Sequence, residues 1–257
     1  MSFNDLNQMC LFEGMTSISA LIRAAENDPS SRKIVAVFYD EQKRSQKYSQ
    51  IKFLSVKSQE LGFELSPKDG EYIDSLANGK THGGFIAVCE KREYPSLLGA
   101  DINPSGIYYI IEGVEDPFNY GYTVRALYAA GADGIILSPR NWTDATAVVS
   151  RSSAGTSELI KTYVDDTQEA VKYLKSKGYK IVCANIKESE SLYTADIKAP
   201  VAFIIGGEKR GISGTLLELA DLNVRIDYAS DFHGSLPTAS AAALIAFEAA
   251  RKNGRFS

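Results

Sequence analysis

The sequence predicts an α/β protein whose second half forms an open parallel sheet. Short β-branched apolar runs alternate with helical segments along the chain, and several of these runs end in glycine-rich turns. Alternation of this kind is typical of sheets covered by helices, and ligands bind such sheets beyond the carboxyl ends of the strands. We therefore expect the functional residues in three segments that follow strands, 112–125, 203–213 and 226–247.

The composition is that of a globular protein that folds without disulfides. Hydrophobic residues make up 44% of the 257 residues and charged residues 23%, which is ordinary for a soluble domain. The three cysteines, Cys10, Cys89 and Cys183, lack CxxC spacing, so we expect buried, reduced thiols. The N-terminal residues do not have the pattern of a signal peptide, and no apolar run approaches the ~20 residues of a membrane span. We expect a cytoplasmic protein with no membrane partner.

Two classes of site are disfavoured by the sequence. The histidines His82 and His233 lie far apart, and neither has a cysteine or carboxylate at metal-ligand spacing, so we expect no metal site. A dinucleotide-binding oxidoreductase needs an early GxGxxG and a downstream acidic residue, and the chain has neither.

Residues 1–95 are predicted to form a small α/β domain. Helical spacing of apolar residues predicts a helix at 13–27 behind the candidate caps Thr16 and Ser17. The other predicted elements are strands at 34–39 and 63–65, a polar helix at 42–61, a helix at 68–78 that Pro67 would open, and a loop with two glycines that runs into a strand within 81–91.

Two prolines and a glycine interrupt the periodicity at 92–104, where we place the linker to a second domain at 104–257. The predicted strands of this domain are 106–114, 133–138, 180–186, 200–207 and 223–228, and its main helices are 122–131, 167–178, 213–220 and 236–252. The first strand, helix and next strand form a βαβ unit, so these strands should be parallel.

The net charge of −4 argues mildly against nucleic-acid binding, but basic residues concentrate in one stretch. Seven lie between residues 32 and 57 against two acidic ones, Asp40 and Glu41. A solvated helix face and a nucleic-acid contact both explain such a stretch.

The first segment, 112–125, begins a helix after a strand. Asn119 is a candidate N-cap, and Arg125 would offer a fork of donors for a phosphate or carboxylate. A capped helix with a surface arginine is the structural alternative.

The second and third segments are less specific by pattern. Gly206, Gly207 and Gly211 would let the backbone contact a ligand, although a strained turn explains them equally well. Glu208 lies beside two cations and could orient an arginine. Ser235 and Pro237 are typical of a helix start, which by itself indicates nothing further.

Together, the three segments resemble the SpoU/TrmH family of RNA ribose 2′-O-methyltransferases, over about 104–257. DPFNYGYTVRALYAAG is similar to the family's DPxNxGxxxRxAxxxG, FIIGGEKRGIS to its GxExxG motif, and SLPTASAAALIAFEA to its SLNVSVAxxIxxxE. SRSSAGTSEL at 150–159 is similar to the SxGA-type connector between them.

The resemblance implies a fold, a cofactor and an assembly. It implies a deep C-terminal trefoil knot that binds S-adenosylmethionine, and homodimers whose active site is completed across the interface. Arg125 would be catalytic, with Asn119 and Glu208 positioning Arg125 and the RNA. The cofactor would be held at five positions, Gly206, Gly207, Ile226, Ser235 and Leu236.

One residue departs from the family pattern. Pro237 stands where the third motif has asparagine after Ser-Leu, so a non-catalytic RNA-binding protein that retains the cofactor fold is the alternative function.

The first ninety residues resemble the ribosomal-protein-like α/β domain that precedes the catalytic domain in several members. EGMTSISALI and THGGFIAV carry this second resemblance. It implies that structured RNA, ribosomal or transfer, docks on this domain.

Overall fold

The computed structural model describes residues 9–79, 81–139, 145–209 and 211–256, and these residues divide into two compact units. The first unit comprises 9–93 together with 145–159, and the second comprises 94–139 with the described residues from 160 onward. The sequence places all of 104–257 in one domain, whereas in the structure the chain returns to the first unit for 145–159. No helix within the described ranges is long and apolar enough to cross a membrane.

The first unit is built on a four-stranded mixed sheet in the order β1-β4-β2-β3. Strands β1 and β2 run antiparallel to β4, and β3 runs parallel to β2. Its elements, numbered along the whole chain, are β1 (Cys10–Glu13), α1 (Gly14–Asn27), β2 (Ile34–Asp40), α2 (Tyr48–Leu61), β3 (Glu64–Lys68), α3 (Gly70–Leu76), β4 (Phe85–Cys89) and α5 (Thr146–Ser152). One apolar cluster packs α1 and α2 on one face of the sheet, and a second packs α3 on the other face.

Three local predictions in this unit are wrong. Pro67 lies within β3 rather than opening a helix, which is possible because β3 is the edge strand and its outer side needs no amide donor. Thr16 and Ser17 lie inside the first turn of α1, whose cap position is Glu13. The long helix predicted from residue 42 begins at Tyr48, after a separate 3₁₀ turn at Glu41–Lys43.

Segment 145–159 is held in the first unit by charge. Arg32 Nε lies 3.0 Å from Glu158 Oε2, and both side chains are only 4% exposed. Arg151 Nη1 lies 3.2 Å from Glu13 Oε2. A buried carboxylate needs a charged or hydrogen-bonding partner, so these pairs fix where the segment packs.

The basic stretch at 32–57 is largely neutralised in the structure. Arg32 is buried on Glu158, and the others that are paired with carboxylates are Lys33 with Glu90, Lys43 with Asp40, Arg44 with Glu41, and Lys57 with Glu26 and Glu60. Lys47 and Lys52 make no ion pair with any residue the structure describes. A count along the sequence overstates the patch because four of these carboxylates come from outside the stretch.

The second unit contains a seven-stranded sheet in the order β7-β6-β5-β10-β8-β11-β9. Every neighbouring pair of strands is parallel. This confirms the prediction that the two strands of the βαβ unit are parallel. Its elements are β5 (Ile107–Glu112), α4 (Pro117–Ala129), β6 (Gly134–Leu137), β7 (Thr162–Val164), α6 (Thr167–Ser176), β8 (Lys180–Ala184), β9 (Glu190–Ser191), β10 (Val201–Gly206), α7 (Gly214–Leu219), β11 (Leu222–Arg225) and α8 (Thr238–Lys252).

The strand order reverses between β5 and β10. The chain proceeds from β5 outward through β6 and β7, and the later strands lie on the other side of β5. Tyr109 of β5 and Phe203 of β10 stack with ring centroids 5.4 Å apart, so this junction is firmly packed. Such a reversal is where an open parallel sheet binds ligands.

Candidate active site

The ends of β5 and β10 bring two predicted segments together. The strands pair in register up to Glu112 and Gly206, so their following loops leave the sheet side by side. A Cβ at Gly207 would lie 2.0 Å from the carbonyl oxygen of Gly113. Only glycine therefore fits at position 207, because the two loop backbones touch there.

The first turn of α4 is capped by Asp116, not by Asn119 as predicted. Asp116 Oδ1 accepts a hydrogen bond of 2.8 Å from the backbone N–H of Asn119, and Pro117 is the first helical residue, where its missing N–H costs nothing. Asn119 lies inside this turn, so its side chain is released from capping.

The Asn119 side chain instead contacts Glu208. Asn119 Nδ2 donates to Glu208 Oε1 at 2.8 Å and to Oε2 at 3.0 Å, across 89 positions of sequence. The structure thus joins two of the three predicted catalytic residues.

Arg125 stands apart from this pair. Its side chain is exposed and makes no hydrogen bond or ion pair with the described residues. It lies six positions after Asn119, about 120° away around the helix. A guanidinium without a protein partner is available to an external anion, and the orienting contact predicted from Asn119 or Glu208 is not formed.

A small cavity of about 280 Å³ opens beside the start of α4. It is lined by Gly113, Val114, Glu115, Asp116, Pro117, Glu208 and Lys209. Lys209 Nζ lies 3.1 Å from Glu115 Oε2 on the exposed surface, and such pairs contribute little stability. The cavity is bounded on one side by the carboxylate that Asn119 holds.

A larger cavity of about 600 Å³ lies beyond the ends of β8, β10 and β11. Four of the five residues predicted to bind the cofactor line it, namely Gly206, Ile226, Ser235 and Leu236. Gly207 is not among its lining residues and packs on Gly113 instead. The second and third segments therefore share one cavity.

One wall of this cavity is bare backbone. A Cβ at Gly206 would lie 2.6 Å from the carbonyl carbon of Gly211, so no side chain fits between the two. The Thr238 hydroxyl donates to the carbonyl oxygen of Gly206 at 3.2 Å, and Thr238 is buried. Thr238 was not predicted from the sequence; its signal is a hydroxyl at the first position of an alanine-rich helix.

The start of α8 differs from the prediction. The helix begins at Thr238, and Pro237 occupies its cap position with no side-chain hydrogen bond. Ser235, predicted as the cap, lies in the preceding loop. Both residues are exposed, so the loop and not the helix brings Ser235 to the cavity.

The polar rim of the larger cavity carries an ionised carboxylate. Asp227 lines the cavity, and hydrogen bonding from Ser191 together with Arg225 lowers its pKa. Arg225 Nε lies 2.8 Å from Asp227 Oδ1. Behind the cavity, burial raises the pKa of the Cys183 thiol to about 12, so this cysteine is a packing residue rather than a nucleophile.

Two known proteins with similar sequences are both named as RNA methyltransferases. A 23S rRNA (guanosine-2′-O-)-methyltransferase from Shewanella oneidensis is 29% identical over 199 residues, which cover 75% of this chain and 80% of that protein. A putative TrmH family tRNA/rRNA methyltransferase from Staphylococcus saprophyticus is 31% identical over 70% of this chain and 74% of its own length.

Solved structures share the fold. An AdoMet-bound rRNA methyltransferase from Sinorhizobium meliloti aligns with a TM-score of 0.79 at 23% identity, over 96% of this chain and 89% of its own. The SpoU methyltransferase AviRb from Streptomyces viridochromogenes, in complex with AdoMet, aligns with a TM-score of 0.76 at 22% identity, over 98% and 94% of the two chains. The profile of the SpoU rRNA Methylase family matches residues 106–247, which include all three motif segments. This protein belongs to that family.

Proposed function

We propose that this protein methylates the 2′-hydroxyl of a ribose in ribosomal RNA, with S-adenosylmethionine as methyl donor. The observation that carries the proposal is the cavity of about 600 Å³, formed by two motif segments at the strand ends where the sheet order reverses. The Shewanella relative is named for this reaction on 23S rRNA, and the Sinorhizobium protein is named as AdoMet-bound.

The cavity fits this cofactor in size and in chemistry. Its volume lies within the range of sites for small ligands. Apolar side chains suited to a purine face line it, including Ile212, Leu217, Ile226 and Leu236, beside the bare backbone of Gly206. The ionised Asp227 suits a ligand with hydroxyl donors and a positive charge. When bound, S-adenosylmethionine supplies an activated methyl group on its sulfonium.

The Asn119–Glu208 pair would position the RNA near this cavity. Glu208 is exposed although Asn119 holds both of its oxygens, so its carboxylate keeps acceptor capacity for a nucleotide. The pair is held by regular structure, because Asn119 lies in the first turn of α4 and Glu208 closely follows β10.

Arg125 would act on the charge of the RNA. A guanidinium is too basic to take the hydroxyl proton at neutral pH, so Arg125 is not assigned as the base. It would bind the adjacent phosphate and favour the developing alkoxide, which is electrostatic stabilisation. Its exposure and lack of a protein partner support that role.

We also propose that the protein acts as a homodimer with a knotted C-terminal segment. Helices α4 and α8 pack together and leave the apolar side chains of Phe118, Tyr122, Leu244 and Phe247 in solvent, and Phe256 is exposed just after α8. A patch of this kind fits a second copy of the chain. The match of residues 106–247 to the SpoU rRNA Methylase family supports the knot.

A non-catalytic RNA-binding role is favoured by one observation, Pro237. Pro237 is exposed at the cap position of α8 and offers no amide side chain. This leaves the wall of the cavity in place, because the contacts of Gly206 and Thr238 do not involve Pro237. Cofactor binding alone therefore cannot separate the two functions.

The test is methyl transfer itself. The purified protein is incubated with S-adenosylmethionine labelled in its methyl group and with rRNA, and the labelled ribose is mapped. Label at a 2′-oxygen supports the proposal. Cofactor binding without any incorporation would overturn it in favour of the non-catalytic role.

A further inference from the structure

A second cavity lies in the first unit, remote from the motif segments in sequence. It measures about 400 Å³ and is built from four separate stretches of chain. These are the start of α1 (13–17), the start of α2 (Lys47 and Gln50), the turn at 81–83 with Phe85, and Arg151 with Ala154 of the returning segment.

The floor of the cavity is the first turn of α1. Residues Gly14, Met15, Thr16 and Ser17 all line it. The helix has fourteen residues, no side chain caps its N-terminus, and no acidic residue lies in its first turn. Its first amide N–H groups and its helix dipole therefore face the cavity as donors for a negative group.

Ser17 is an independent sign of a ligand. Ser17 lines the cavity, and the residue is only 3% exposed. Its hydroxyl forms no hydrogen bond with any residue that the structure describes. An acceptor placed in the cavity would give this hydroxyl a hydrogen-bond partner.

The charges at the cavity leave a net positive site. Glu13 is the one carboxylate among its lining residues. Both of its oxygens are engaged, Oε1 by the backbone N–H of Asn78 at 2.7 Å and Oε2 by Arg151. Lys47 remains uncompensated, since no carboxylate of the described chain pairs with it.

The adjoining surface of α2 fits single-stranded RNA. Tyr48 and Phe53 are exposed aromatic residues, and Lys52 is the other lysine of the basic stretch without a carboxylate partner. Aromatic faces beside lysines bind unstacked bases and their phosphates. This surface begins at Lys47, where the cavity opens.

We propose that this cavity binds one backbone phosphate of the substrate RNA, through the first turn of α1, Ser17 and Lys47. The proposal rests on the function proposed above, because it takes RNA as the substrate. It assigns to the first unit a defined anchoring site in place of a diffuse basic patch.

The first test uses the full chain and inorganic phosphate. Thermal unfolding is followed in sodium phosphate and in sodium chloride of equal ionic strength. We expect phosphate to raise the Tm of the wild type but not of Ser17→Ala or Lys47→Gln. Ser75→Ala is the matched control, because Ser75 lies on α3 against the opposite face of the sheet.

The second test measures binding of a 23S rRNA transcript at several salt concentrations. Lys47→Gln should weaken binding about tenfold and reduce the slope of log K against log salt by about 0.7 to 0.9, as loss of one phosphate contact requires. Ser17→Ala should weaken binding about five-fold with an unchanged slope, since it removes a hydrogen bond and no charge. Ser75→Ala and the charge-matched Lys198→Gln should bind like the wild type.

The outcomes separate this proposal from the proposed function. Wild-type binding by both Ser17→Ala and Lys47→Gln would overturn the phosphate site, whatever the methyl transfer shows. Stabilisation by phosphate with unaltered RNA affinity would make it a site for a free anion and would overturn the RNA assignment. Absence of methyl transfer by the wild type would instead contradict the catalytic function, and the binding differences would still decide the cavity.

Discussion

Two large cavities among the described residues differ in what lines them. The cavity of the second unit has a backbone wall at Gly206 and apolar sides, with its charges confined to the rim. The cavity of the first unit has a helix N-terminus, a lysine and a half-buried ion pair. The first kind recognises the shape of a flat, mostly apolar ligand, and the second recognises charge. Under the two proposals, one chain binds the cofactor and the RNA backbone at separate sites, each with the chemistry that suits its ligand.

The largest expected effect comes from disrupting the contact between the loops that follow β5 and β10. Gly207→Ala should lower the free energy of unfolding by more than about 4 kcal/mol, because its Cβ would overlap the Gly113 carbonyl. It should also abolish cofactor binding, because the clash would displace the neighbouring Gly206, which lines the cavity. Gly211→Ala is the control: its φ is +63° and an added Cβ meets nothing within 4 Å, so only about 1–2 kcal/mol of backbone strain is expected. Urea unfolding and calorimetric titration of S-adenosylmethionine measure both effects. Similar losses in the two variants would show that contact between the loops is not what requires glycine.

The next largest effect tests the buried ion pair between Arg32 and Glu158 in the first unit. Arg32→Ala leaves Glu158 buried without its partner and should cost about 3–5 kcal/mol. Lys33→Ala, which removes an exposed pair with Glu90, should cost less than about 1 kcal/mol. Urea unfolding of both variants gives the comparison. Equal stabilities would mean that the buried pair does not hold segment 145–159 in place.

A smaller effect tests the hydrogen bond from Thr238 to the backbone wall at Gly206. Thr238→Val keeps the shape of the side chain and removes the hydrogen bond to the Gly206 carbonyl, so cofactor affinity should fall by about 1 kcal/mol, or five-fold. Thr215→Val, at an exposed position of α7, should leave the affinity unchanged. Calorimetric titration measures both, and an unaltered affinity in Thr238→Val would remove Thr238 from the cofactor site.

The sequence was sufficient to predict the parts of the fold that depend on local pattern. The apolar runs of β5 and β10 and the helix at α8 were predicted close to their observed bounds. Gly206, Ile226, Ser235 and Leu236 were expected at one site and do line one cavity. This worked because parallel strands bring their carboxyl ends to the same edge of the sheet.

The sequence was insufficient where a residue's role depends on a distant partner. Asn119 has the sequence pattern of a cap, yet Asp116 takes that position and Asn119 binds Glu208. Arg32 was counted in a basic patch, but Glu158 buries it. The phosphate cavity was not predicted, because it joins four stretches that have no common motif.

The short strands show the same limit. β1, β7 and β9 have two to four residues, too few to show a period of two. They are strands because neighbouring strands pair with them. Hydrogen bonding to a neighbour, not intrinsic propensity, decides their structure.

The central claim is that cofactor binding and methyl transfer depend on different residues of one site, and Arg125→Ala tests it most directly. Methyl transfer to rRNA and the Kd for S-adenosylmethionine are measured on the same preparation. The account predicts that transfer falls by at least about 10²-fold, as for loss of a group that stabilises developing charge, while the Kd changes less than about two-fold because Arg125 does not line the cavity. Unchanged transfer, or loss of cofactor binding together with transfer, would contradict it.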